Sequence, residues 1–97
     1  MPVTHANPSV ANATSVTILA AQSNRKYLLI QNNSAADVAI SLVGDTLTGI
    51  APTAANSCIV LDAGASYESP AHFCPTGAIT AYQSSGGAIE TITVVSL

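Results

Sequence analysis

The residues best equipped for chemistry are His72, Cys74 and Cys58. A cysteine beside a histidine can serve as a nucleophile with its base. A histidine with two cysteines can begin a zinc site. Three candidate ligands with no fourth, and with no Cys-x-x-Cys pair, make a poor metal site. The segment Pro70 to Pro75 reads instead as irregular chain that tucks Phe73 into the core. Two acids, Asp62 and Glu68, flank a turn and a strand. Paired carboxylates can cleave glycosidic bonds, but Asp62-Ala63-Gly64 is better explained as turn chemistry. No serine sits in a Gly-x-Ser-x-Gly elbow. Gly86-Gly87 has no lysine after it, so it is no phosphate loop. The expectation is a protein without catalytic, cofactor-binding or metal-binding residues, and not an enzyme.

Other small motifs are equally quiet. Cys58 and Cys74 admit a disulfide or two buried thiols. The N-terminus lacks a basic start followed by an apolar stretch, which predicts no secretory signal and favours thiols. Without secretion, the glycosylation patterns Asn12-Ala13-Thr14 and Asn32-Asn33-Ser34 carry no meaning. Arg25 and Lys26 read either as contacts to a partner's carboxylates or as a solvated strand start, with the second favoured.

The elements that must position these residues are short strands. Period-2 or fully apolar runs occupy 14–20, 26–31, 37–43, 57–61, 66–69, 77–83 and 89–95. Gly, Pro, Asn and Ser clusters separate them. Lys26 to Gln31 is apolar on both faces, as a strand covered on both sides would be, and Tyr27 falls within it. Val38, Ile40 and Leu42 share one face of the next run. Ser84-Ser85-Gly86-Gly87 is a tight hairpin signal. Residues 44–56 form a loop. No segment keeps a 3.6 period with caps. The fold class expected is all-β, a small antiparallel β-sandwich or barrel of about seven strands. Residues 1–13 form an extended N-terminal arm, and 14–97 the β-sandwich domain. Val3, His5 and Val10 are the arm residues expected to contact a partner.

Composition excludes whole classes of function. The 97 residues carry two basic and five acidic side chains, a net charge of -3. Two cations cannot build a phosphate-binding face, so nucleic acid is not a partner. Charged residues are 7% of the chain, against about 25% for an ordinary soluble domain. Hydrophobic residues reach 48%, which argues against disorder. No apolar run nears the roughly 18 residues of a membrane span, so no membrane association is expected. The apolar content comes from small side chains, with 17 alanines and only 4% aromatics. Such a core yields little transfer energy per residue. A charge-poor surface also resists association poorly. Both point to a subunit that works packed against others.

Three segments carry a resemblance. They are Arg25 to Ser34 with the strand after it, Ile59 to Glu68, and Pro75 to Ala81 with the terminal threonine-valine strand. Over residues 24–97 the chain resembles small β-structured virion proteins of tailed bacteriophages. The resemblance implies a capsid decoration or cement protein on the outer surface of the assembled head. Its partner would be the major capsid protein. It would self-associate, as a trimer or another closed ring, on a virion assembled in the host cytoplasm. The alternative is a head-fibre, spike or tail accessory module with a glycan-binding role. No catalytic residues or cofactors come with the resemblance. Cys58, Cys74 and the long arm depart from the pattern.

Overall fold

Short aliphatic and β-branched runs closed by turn residues can form strands but not helices of useful length. The computed structural model describes residues 4–50, 58–70, 73–89 and 92–97, excepting the side chains of 4–6. The strands are β1 (Thr4–Ala6), β2 (Val16–Leu19), β3 (Leu28–Asn32), β4 (Val38–Ser41), β5 (Ile59–Leu61), β6 (Ser66–Glu68), β7 (Ile79–Tyr82) and β8 (Ile92–Ser96). They form two antiparallel sheets, ordered β1-β8-β3-β6 and β2-β7-β4-β5. Neither sheet closes on itself, so the architecture is a β-sandwich and not a barrel. The expected all-β class is what the chain adopts, with β2 to β8 near the expected positions and β1 an added strand within the expected arm.

Every connection except that from β4 to β5 changes sheet. This corrects the hairpin reading of Ser84 to Gly87. β7 pairs with β2 and β4, and β8 with β1 and β3, so the turn carries the chain between sheets. The two facing rows build the core. In the first sheet Ile30 pairs with Val94 and Tyr67; in the second Ala81 pairs with Ile40 and Val16. Leu28, Ile30, Val38, Ile40, Ile79 and Ile92 are fully buried between them. Leu42 packs against this cluster, as its spacing from Val38 and Ile40 predicts.

The strand covered on both faces is β4, and not the run starting at Lys26. In β3 only alternate residues are buried, and Gln31 is exposed. All four residues of β4 are buried. The cause is the loop after it. Asp45 accepts from Thr80 Oγ1 through its carbonyl at 2.6 Å, and Leu47 N donates to Ser15 Oγ at 3.0 Å. These bonds fold residues 45–47 back over β4 and β7 and leave Leu47 only 2% exposed. Composition hid this, because one leucine in a Gly-Thr-rich loop looks incidental.

The arm belongs to the sandwich. β1 runs antiparallel to β8, and Val10 is fully buried, with a two-way backbone bridge to Ile89. Residues 4–12 therefore supply a strand and a core side chain to the sandwich.

Leu47→Ala is expected to lower unfolding stability by about 2–4 kcal/mol, because it empties a covered apolar site. Val43→Ala, at an exposed position, is expected to change it by less than about 0.5 kcal/mol. Urea unfolding of both variants checks the contrast.

Candidate functional site

Arg25 follows a polar turn and precedes β3, the place where an arginine is ordinarily solvated. It is instead 3% exposed. Its Nη1 donates to the carbonyls of Pro75 at 2.6 Å and Gly77 at 3.1 Å, and its Nη2 to that of Ala20 at 2.7 Å. Nε is buried without a partner. A guanidinium is a rigid fork of donors that suits several carbonyls at once. It ties the chain before β3 to the chain before β7. The solvated reading holds for Lys26, which is exposed, and fails for Arg25.

This clamp decides what the 73–77 segment presents. Pro75 is buried under the guanidinium, and Cys74 packs against the core. Phe73 is left outside at 62% exposure, with its N–H on Pro70 O at 3.3 Å. The expectation that Phe73 enters the core is thereby overturned; Cys74 takes that place. After β4, Gly44 turns at φ 79°, a conformation that favours glycine, and a side-chain Cβ there would come within 3.4 Å of Ala78. Val43, next to it, stands 74% exposed. Val43, Leu42, Phe73, Cys74 and Pro75 line an open hollow of about 460 Å³, and among the described residues no charged side chain borders it.

The residues singled out for chemistry separate. His72 lies outside the described residues. Cys58 and Cys74 are half-buried thiols and not a disulfide. Among the described residues no three His, Cys, Asp or Glu side chains gather as metal ligands. Asp62 is exposed in the turn before β6, where its carbonyl accepts from Ala65 N at 2.8 Å. Glu68 accepts from Tyr27 Oη at 2.8 Å on the outer face of the first sheet. Tyr27 thus sits just outside β3 and half-buried, with its hydroxyl on the outer face, not in a core strand. The hydrogen bond to Glu68, then burial, then the carboxylate charge raise its pKa above 10.0.

Of the arm residues expected to touch a partner, Val3 lies outside the described residues. His5 is paired with Val95 in the β1–β8 ladder. Val10 fills the core of its own chain, so a partner reaches it only if the arm leaves the sheet.

At the opposite end two side-chain amides close the turns after β3 and β7. Asn32 Oδ1 accepts from Ser34 N and Oγ, while its Nδ2 donates to the carbonyls of Ala36, Leu61 and Asp62. Gln83 Oε1 accepts from Ser85 N and Oγ, while its Nε2 donates to the carbonyls of Gly87 and Val10. Both amides are fully buried. Sequence reading passed over them, although Asn32-Asn33-Ser34-Ala35-Ala36 and Gln83-Ser84-Ser85-Gly86-Gly87 share one pattern.

No family model, curated protein or solved structure matches this chain.

Arg25→Ala orphans buried carbonyls and is expected to cost about 3 kcal/mol of stability, with Arg25→Lys in between. Chemical denaturation checks the order. Glu68→Gln is expected to bring the Tyr27 titration down toward 10.0, read by phenolate absorbance against Tyr27→Phe. The sign follows from the raised value. The folded state holds this proton more tightly, so its stabilisation is complete below pH 10.0 and is lost as pH rises through the folded pKa.

Proposed function

We propose that this chain is a non-enzymatic structural protein of a tailed-phage virion. It decorates or cements the outer surface of the assembled head, with the major capsid protein as its partner. The observation that carries the reading is the uncharged apolar rim of Val43 and Phe73 around the hollow. Apolar side chains this exposed, next to no charge, mark surfaces that meet other subunits. The resemblance in residues 25–34, 59–68 and 75–81 supplies the setting. Those segments lie on β3, on the β5–β6 turn and at the start of β7.

The physical logic is additive. A specific contact buries roughly 1,200–2,000 Å², and a shell repeats it at every equivalent site. A subunit seated across a boundary adds its contacts to those that internal pressure must break. Self-association into a trimer or another closed ring fits the symmetry axes of such a shell. Among the described residues no helix is long and apolar enough to cross a membrane.

A second reading, an adhesion module on a head fibre, spike or tail tip, draws support from Tyr27 beside Glu68 on the outer sheet face. An aromatic ring next to a carboxylate can serve a sugar.

The test adds purified protein to shells assembled without it. Saturable binding and a raised threshold for shell rupture are expected. Val43→Asp and Phe73→Ser are each expected to weaken binding at least tenfold without shifting the unfolding midpoint. Absence of binding, with shells equally strong, overturns the proposal. Glycan-array binding lost in Glu68→Gln moves the assignment to the adhesion module.

A further inference from the structure

The two sheets are versions of one arrangement. The row Ala6, Val94, Ile30, Tyr67 across the first matches the row Ile59, Ile40, Ala81, Val16 across the second. The strands correspond as β3 with β7, β4 with β8, β2 with β6, and β5 with β1. The amide turns at Asn32 and Gln83 correspond bond for bond in their Ser34 and Ser85 contacts. Val16 and Tyr67, Ile30 and Ala81, and Asn32 and Gln83 are all the same number of residues apart.

The correspondence breaks at one place. The first half runs continuously through β2, β3, β4 and β5. The second runs β6, β7, β8, and its fourth strand, β1, comes from the other end of the chain. Only the link at residues 7–15 ties β1 to the rest. Within that link Ala13 has φ 52°, the one non-glycine residue with positive φ among those described. An alanine there is strained, because its Cβ crowds the backbone.

We infer that residues 4–12 are an exchangeable arm, hinged at Ala13, which leaves its own β8 and completes the first sheet of a second copy of this chain. The exchange gives up one local bond across the hinge, Thr14 Oγ1 to Asn12 O, and disturbs Ala13 N to Gln83 O at the hinge itself. The Val10–Ile89 bridge, Gln83 Nε2 to Val10 O, Gly86 N to Asn12 Oδ1 and Thr93 Oγ1 to Asn7 Oδ1 all re-form between copies. The hinge relaxes to extended backbone, and strained hinges drive such swaps. Residues 4–13 contain no Asp, Glu, Lys or Arg, so no charge opposes the approach. The second copy is the occupant because it presents Ile89 and the β8 edge to which this arm is already matched. The inference stands whether or not the protein works on a capsid.

The experiment uses the full chain in a Cys58→Ser, Cys74→Ser background, incubated at high concentration and sized by light scattering. A closed dimer or ring is expected. Ala13→Gly, which tolerates positive φ, is expected to lower the association constant roughly tenfold. Ala13→Pro, whose φ is fixed negative, is expected to be associated throughout. Adding His5→Cys and Val95→Cys to the same background provides a readout independent of the proline variant's folding. Oxidation of the concentrated sample is expected to give a covalent dimer that persists in denaturant. A monomer at all concentrations overturns the inference. So does association in which the disulfide forms only within one chain, or which Ala13→Gly leaves unchanged.

Discussion

The sandwich depends on how buried backbone is satisfied where the chain passes from one sheet to the other. At the ends of β3 and β7 the backbone leaves its ladder while still under cover, and unpaired carbonyls there are destabilising. Asn32 and Gln83 meet this demand with both ends of an amide. The oxygen gathers the N–H and hydroxyl of a serine two residues on; the nitrogen gathers carbonyls from the turn and from a segment distant in sequence. Each amide thereby fixes the turn and joins it to another part of the chain. Substituting either side chain with an aliphatic one would strand several buried acceptors together.

Arg25 does the equivalent work at the other end, where β3 and β7 begin. Three carbonyls from two segments converge on one guanidinium. A core of alanine, valine and isoleucine has few bulky side chains to lock its loops, and polar pins take that part. This reconciles a chain of 7% charged residues with a buried arginine. The cation is there as a many-armed donor. The clamp also sets what the surface offers, since it draws Pro75 inward and leaves Phe73 beside Val43 at the rim of the hollow.

Strand positions were legible because alternation and turn chemistry are local. β2, β4, β7 and β8 fall close to the runs that their valines, isoleucines and threonines mark. Partnership was not legible. Ser84 to Gly87 looks like a hairpin because a hairpin and a sheet-crossing turn use the same small residues; only long-range pairing separates them. Arg25 was misread, and the burial of Leu47 and Val10 was not legible, for a related reason. Each lies in a polar or aperiodic stretch, and its burial comes from a segment distant in sequence. Phe73 erred the other way: size and hydrophobicity argued for the core, while the backbone geometry imposed through Pro75 turned it outward. His72 and Val3 lie outside what the structure describes.

The near-equivalence of the two sheets explains why so little of it surfaces in the sequence. What must match between the halves is a set of roles: an amide at a strand end, a serine two residues later, a small residue two beyond that, and apolar side chains in the facing rows. Asparagine and glutamine both fill the first role, alanine and glycine both the third, and alanine, valine, isoleucine or tyrosine the rows. Physical constraint therefore holds geometry while leaving identity free. The one asymmetric element is β1, which takes from the N-terminus the place that β5 reaches by continuing from β4. A strand delivered from the far end cannot be positioned by its neighbour in the chain. It has to be held by its own bonds, which is why Val10, Asn12 and Asn7 are tied to Ile89, Gly86 and Thr93.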